Sequence, residues 1–254
     1  SSMVVYEHLP SRAVVVYAQG EDKASRAVEK LASGPSPPSD ADRSSLDALV
    51  SVLKNASRYH ATTIDEGCYA TLLSLLSSVD PQSSFPVVDL LRLTSLHPTS
   101  SQRSRLPYWR NALDSVLENM EKVPKEDVPV RMLGYRLACN LLKVRAFYGT
   151  DLWSKERVGA LCAALDWPSA GKNVKSSAVT FALNLATVSH ITSSSAAPWS
   201  AASSTLLAAA LADGAEENRR KALIAVGTFK LAGGEAPEMV KGVVGGMEAG
   251  GGKV

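Results

Sequence analysis

Two arginines and two asparagines recur at a fixed spacing in this chain. Arg92 and Arg136 are 44 residues apart, and so are Asn140 and Asn184. An asparagine amide can donate to and accept from the backbone of an extended peptide, and an arginine makes charge-assisted hydrogen bonds to carboxylates. Arg136 and Asn140 lie one helical turn apart, so they would form a paired site on one helix face. The spacing therefore predicts a repeated surface that binds a peptide.

A structural interpretation of the same four residues stays open. Buried amides often serve packing, so Asn140 and Asn184 would then bridge helices inside an array. Arg92 and Arg136 lie in apolar helix segments, where a charge requires a partner or a solvated groove.

The spacing also indicates which elements carry these residues. Armadillo and HEAT repeats are about 40 to 47 residues long, and their stacking places equivalent helix positions on one wall. We therefore predict an all-α fold, an armadillo-like α-solenoid of about six helical repeats. Within it, one repeated position is occupied by Arg92, Arg136, Thr180 and Ile224, and the next by Leu96, Asn140, Asn184 and Thr228.

An apolar period of 3.6 residues, interrupted by proline and glycine, predicts the helices themselves. The second of them should be capped by Asp42 or Ser44 and end near Tyr59. The other predicted ranges are 21–32, 66–79, 84–97, 108–121, 128–147, 154–165, 172–191, 199–213, 216–232 and 236–248.

The two ends of the chain have different compositions from the helical middle. Residues 1–20 carry β-branched and aromatic side chains around Pro10, which predicts an extended arm. The glycine-rich residues 245–254 predict a flexible tail. We expect residues 1–254 to form a single domain.

Composition excludes two classes of partner. The net charge of +2, from 27 Lys and Arg against 25 Asp and Glu, is too small for a nucleic-acid-binding domain. No uninterrupted run of about 18 apolar residues occurs, so we expect no membrane span. The basic side chains form local clusters instead, at Arg103, Arg105 and Arg110; at Arg131, Arg136, Lys143 and Arg145; at Lys172 and Lys175; and at Arg219, Arg220 and Lys221.

No pattern for catalysis or metal binding is found. The four histidines are far apart, and no phosphate-binding loop, dinucleotide fingerprint or nucleophile elbow occurs. Cys68, Cys139 and Cys162 lack ligand spacing and lie in apolar helices, which predicts reduced core residues. We expect no enzymatic activity, no cofactor and no metal, a cytoplasmic location with the nucleus as a second one, and a monomeric isolated domain.

Five segments carry a further pattern. They are FPVVDLLRL at 85–93 with HP at 97–98, RLACN at 136–140, the segment 173–184, KALIAVGT at 221–228, and the arm segment 6–17 around its proline. Together they resemble the PUL domain found in the phospholipase-activating-protein and ubiquitin-fusion-degradation family. The resemblance covers nearly the whole chain.

The resemblance implies a partner. PUL domains of this family bind the acidic C-terminal tail of the hexameric AAA+ ATPase valosin-containing protein, which links it to ubiquitin-dependent processes and protein degradation. By motif position the basic contacts to this tail correspond to Arg92 and, in the last repeat, to Lys221 or Arg220. Arg219 is a third candidate there.

The resemblance also implies roles for Arg136, Asn140 and Asn184, which match family positions and would hold the peptide backbone. The alternative function is a helical scaffold whose basic positions pair internally. Such a scaffold would bind a different protein through another face, in a thioredoxin- or isopeptidase-linked parent.

Overall fold

The computed structural model describes residues 10–20, 23–126, 128–192 and 197–233. Within these ranges the chain forms α-helices and short 3-10 turns and no strand, which confirms the predicted all-α class. The helix predicted at 236–248, the tail at 245–254 and the first nine residues of the arm lie outside the described residues.

Ten α-helices fall in the described ranges, close to the predicted ones. They are α1 (Ala24–Ala32), α2 (Asp40–Leu53), α3 (Glu66–Ser78), α4 (Phe85–Thr94), α5 (Leu106–Lys122), α6 (Val128–Leu141), α7 (Lys155–Ala163), α8 (Lys172–Thr192), α9 (Ala197–Leu211) and α10 (Glu216–Leu231).

The start of α2 and the ends of α2 and α6 differ most from the sequence prediction. Helix α2 is capped by Ser39, whose hydroxyl accepts from the Asp42 N–H at 3.2 Å, and not by Asp42 or Ser44. Helices α2 and α6 end about six residues early because a tyrosine beyond each end supplies a donor to a terminal carbonyl. Tyr59 donates to the Leu53 carbonyl at 3.0 Å, and Tyr148 donates to the Leu142 carbonyl at 2.9 Å.

The chain divides into two compact units. We call residues 16–152 the proximal unit, and residues up to 15 together with those from 153 onward the distal unit. In the proximal unit α4 packs on α6 and α3 on α5; in the distal unit α8 packs on α10 and α7 on α9. Each of these helices contacts the second helix after it, which is the packing that stacked helical repeats use. The number of repeats and the single domain stay predictions.

Leucine, valine and alanine make up most of the core. The predicted burial of Cys68, Cys139 and Cys162 is confirmed, and all three are free thiols. Burial raises the pKa of the Cys162 thiol to about 12, so it stays protonated and unreactive at neutral pH. Among the described helices, none combines the length and the apolar character that a membrane span requires.

The arm reaches α1 through a glycine with a left-handed backbone. Gly20 has a φ of 109°, and its carbonyl accepts from the Lys23 N–H at 2.8 Å. A Cβ at this position would lie 3.2 Å from Nη2 of Arg92. Glycine therefore allows the chain to turn where it passes the buried arginine.

A pair of glycine substitutions tests this turn. Gly20→Ala should lower the free energy of unfolding by about 1–3 kcal/mol, because alanine is strained at positive φ. Gly159→Ala, in the interior of α7 with open space around its Cβ, should raise that free energy by up to about 1 kcal/mol through helix propensity. Urea denaturation measures both values, and a stabilising effect of Gly20→Ala would contradict the turn.

Candidate peptide-binding site

In the proximal unit, Asn140 on α6 binds the backbone of the protein's own arm. Its Oδ1 accepts from the Tyr17 N–H at 2.7 Å, and its Nδ2 donates to the Tyr17 carbonyl at 3.2 Å. The same Nδ2 donates to the Arg92 carbonyl at 3.1 Å. Asn140 is only 1% exposed. One amide thus satisfies both backbone groups of an arm residue and joins α6 to α4.

In the distal unit, Asn184 on α8 makes the equivalent pair of bonds. Its Oδ1 accepts from the Val15 N–H at 2.8 Å, and its Nδ2 donates to the Val15 carbonyl at 2.8 Å. Asn184 is fully buried. Both backbone groups of Val15 are thus bound by one amide, as those of Tyr17 are in the proximal unit. We call Asn140 and Asn184 the arm-binding asparagines.

Two threonines extend this contact in the distal unit. Thr228 on α10 accepts from the Ser11 N–H through its hydroxyl at 3.0 Å, while that hydroxyl donates to the Ile224 carbonyl of its own helix. Thr187 Oγ1 on α8 lies 2.8 Å from the Ser11 hydroxyl. The arm therefore passes from α10 to α8 as the chain proceeds, opposite to the order of the helices.

Arg92 is buried and paired inside the proximal unit. Its side chain is 4% exposed, and its Nη2 lies 2.6 Å from Oδ1 of Asp89, one turn earlier on α4. Nε donates to the same oxygen at 2.7 Å, and Nη1 donates to the Tyr17 carbonyl. The guanidinium is thereby compensated by a carboxylate and by the arm, as a buried charge requires.

Arg136, one turn before Asn140 on α6, also contacts the arm. Its guanidinium carbon lies 4.8 Å from the centre of the Tyr17 ring, a distance at which a cation is attracted to an aromatic face. Arg136 is partly exposed. Tyr17 is therefore held by its backbone at Asn140 and by its ring at Arg136.

The basic cluster at the start of α10 borders a pocket in the distal unit. This pocket has a volume of 530 Å³, and we call it the Arg220 pocket; it is lined by Leu183, Glu216, Glu217, Arg220, Lys221 and Ile224. Of the three basic candidates in this cluster, Arg220 and Lys221 line the pocket and Arg219 does not.

Lys221 is engaged within the distal unit. Its ammonium donates to Glu217 at 2.7 Å and to the Ser176 hydroxyl at 3.0 Å. The hydrogen bond from Lys221 lowers the pKa of the Glu217 carboxyl. Arg220 is more exposed than Lys221. A ligand at this pocket would therefore reach Arg220 more readily than Lys221.

The described residues were also searched for a metal site. Within the described residues no three His, Cys, Asp or Glu side chains lie close enough together to hold a metal ion.

Comparison with known proteins identifies the family of this chain. The family model of the PUL domain matches residues 20–248. The chain belongs to the PUL domain family. PUL domains are helical protein-interaction domains and are not known as catalysts. No curated protein matches the chain, and no solved structure matches it.

The structure brings some of the predicted site residues of this PUL domain together. Arg92, Arg136 and Asn140 meet around Tyr17 in the proximal unit. Asn184 lies in the distal unit, where Arg220 and Lys221 line the pocket beside Leu183 on the same helix. Their role in binding a partner stays a prediction.

Thr228 was not predicted as an arm contact, although the sequence carries a signal for it. Thr228 occupies the same 44-residue position as Asn140 and Asn184, and a hydroxyl there can accept from a backbone N–H as an amide can. The arm was predicted as an extended segment against the helical array, but not at the peptide-binding positions. The structure places the arm on those positions.

Removing either arm-binding asparagine should release one arm residue. We expect Asn140→Ala to speed hydrogen exchange of the Tyr17 amide, and Asn184→Ala that of the Val15 amide, by about fivefold or more. Each change leaves part-buried backbone groups of the arm without these partners and should lower the free energy of unfolding by about 1 kcal/mol. NMR hydrogen exchange and urea denaturation provide the measurements.

Asn119→Ala is the matched control. Asn119 is a buried asparagine on α5 whose amide donates to the Leu76 carbonyl at 3.4 Å, so its loss should leave both arm amides unchanged. Unaltered exchange of Tyr17 in Asn140→Ala would contradict the assigned hydrogen bonds.

Proposed function

We propose that this PUL domain is an adaptor that binds the acidic C-terminal tail of the AAA+ ATPase valosin-containing protein and links it to ubiquitin-dependent processes. The proposal rests first on family membership, since PUL domains are protein-interaction domains. It rests second on the resemblance of the segments around Arg92, Asn140 and the 221–228 region to the tail-binding family.

The manner in which the arm is held supports the proposal, because it shows that helix faces of this domain bind extended backbone. A side-chain amide on α6 and another on α8 each bind both backbone groups of one extended residue. An amide that binds both backbone groups of a residue can hold an extended peptide independently of its sequence. Helix faces of this kind suit the recognition of a short linear segment.

The observation that carries the proposal is that two of the predicted contact residues remain accessible while the arm is in place. Arg220 is exposed and Lys221 is partly exposed, and both can steer an acidic peptide and donate charge-assisted hydrogen bonds to it. Arg92, Asn140 and Asn184 are buried and would reach a partner only after the arm leaves. Arg136 is intermediate in accessibility, because it contacts the Tyr17 ring and is still partly exposed.

One observation favours the alternative of a scaffold that pairs its basic positions internally. Arg92 uses its guanidinium on Asp89 and on the arm, as that alternative expects. Under it, the arm-binding asparagines fasten the fold and the partner binds elsewhere. The burial of Arg92 also means that Arg92→Glu would place two carboxylates together in a buried site, so this variant tests folding and not binding.

A titration of the labelled tail peptide into the purified domain tests the proposal. We expect saturable binding in the micromolar range, about −8 kcal/mol, because the ordering of a flexible tail opposes the contacts it makes. A peptide with the same composition in scrambled order should bind more weakly. Failure of the folded wild-type domain to bind the tail would overturn the proposal.

Arg220→Glu and Lys155→Glu form a matched pair for the same titration. Both positions are exposed, and both variants change the net charge equally. Arg220→Glu should weaken binding by about threefold to tenfold. Lys155→Glu places a carboxylate in the first turn of α7, where it is tolerated, and should leave affinity unchanged. Equal weakening by both would indicate non-specific attraction only.

A further inference from the structure

A second pocket lies in the proximal unit, beyond the C-terminal ends of α4 and α6. Its volume is 430 Å³. Its apolar lining includes Leu96, Pro98 and Val144, and two basic side chains, Lys143 and Arg145, also line it. We call it the Lys143 pocket. It combines an apolar surface with two cations in a space that admits one large side chain.

The two cations are available to a ligand. Lys143 and Arg145 are both exposed, and in the part of the chain that the structure describes neither forms an ion pair with a carboxylate. Other cations of this unit are already paired: Arg105 lies 2.6 Å from Glu66, and Arg110 lies 2.6 Å from Asp151.

The Lys143 pocket also differs in charge from the Arg220 pocket. No carboxylate occurs among the described residues that line it, whereas Glu216 and Glu217 line the Arg220 pocket together with its two cations. The formal charges of the Arg220 pocket therefore cancel, and those of the Lys143 pocket sum to +2. An acidic ligand is attracted more strongly to the Lys143 pocket.

We propose that the Lys143 pocket binds an acidic peptide segment by its carboxylates, with an apolar or aromatic side chain of that segment against Leu96 and Val144. The inference rests on the proposed function, because the tail proposed there as the partner is acidic. Lys143 and Arg145 supply charge-assisted hydrogen bonds, and the apolar lining supplies an area that an aromatic ring can cover.

The arm stays in place in this arrangement. Asn140 borders the Lys143 pocket, but its amide is committed to Tyr17 and to the Arg92 carbonyl. A tail at the pocket therefore gains contacts without breaking these buried hydrogen bonds. Replacement of the arm would require an external peptide to compete with a segment tethered to the same chain, which has a high effective concentration.

The same cations have a second, structural effect. Lys143 and Arg145 follow the end of α6, where positive charge complements the helix dipole. Loss of that effect lowers the stability of the domain regardless of the peptide. Loss of a direct contact weakens only peptides that carry carboxylates. A neutral peptide therefore separates the two effects.

The test uses the double variant Lys143→Glu/Arg145→Glu and the control Lys54→Glu/Arg58→Glu. Lys54 and Arg58 are exposed residues of the same unit, so the two variants have equal net charge. Each is titrated with the labelled tail peptide and with an analogue in which every Asp and Glu is replaced by Asn and Gln. Thermal unfolding of each variant is recorded alongside.

We expect the Lys143 pocket variant to bind the acidic tail about tenfold or more weakly than wild type, with the control within about twofold. Both variants should bind the neutral analogue with wild-type affinity. If the charge-reversed protein does not fold, Lys143→Gln/Arg145→Gln replaces it, with an expected loss of about threefold.

Three results would overturn the inference. Wild-type affinity of the pocket variant for the acidic tail would exclude the pocket while leaving the proposed function intact. If the control variant weakened tail binding equally, the effect would come from the net charge of the domain and not from the pocket. Absence of tail binding by the wild-type domain would remove the proposed function and this inference with it.

Discussion

The pairing of an extended arm with side-chain amides is the interaction on which the rest of this structure depends. An extended segment outside a sheet exposes its backbone N–H and C=O groups, and these cannot pack against apolar helices without hydrogen-bond partners. Asn140 and Asn184 supply a donor and an acceptor each, and Thr228 supplies a further acceptor. The arm can therefore cover helix faces that would otherwise be exposed.

The sequence predicts the elements of this arrangement well because helices and their repeats are local patterns. The 44-residue spacing placed Asn140, Asn184 and Thr228 at equivalent helix positions, and the amide chemistry assigned to the two asparagines is the chemistry observed. What the sequence did not reveal is which backbone they bind. Backbone groups are alike in every peptide. An asparagine that binds backbone N–H and C=O groups therefore does not distinguish an internal arm from a partner peptide.

Two further features depend on contacts that periodicity does not reveal. Tyr59 and Tyr148 donate to terminal carbonyls of α2 and α6, and both helices end about six residues before the predicted positions. The sequence shows Lys143 and Arg145 in one basic cluster with Arg136. Their spacing alone does not reveal that Arg136 has a different environment from the other two. The structure separates them by burial: Arg136 lies against Tyr17, whereas Lys143 and Arg145 are exposed at a pocket.

The basic residues thus fall into two groups with different physical tasks. Arg92 and Arg136 hold the arm inside the proximal unit, where their charge is compensated by Asp89 or by the Tyr17 ring. The exposed group contains Lys143, Arg145 and Arg220. In our account this second group attracts an acidic partner while the first keeps the arm seated, so that binding and folding use separate side chains.

An NMR titration of the isotopically labelled domain with the tail peptide tests this separation most directly. The account predicts shifts of the backbone amides of Lys143, Arg145 and Arg220, with the Val15 and Tyr17 amides and the side-chain amides of Asn140 and Asn184 unchanged. Large shifts or loss of the Val15 and Tyr17 signals, with the Lys143 region unchanged, would contradict it. That result would mean that the tail takes the place of the arm.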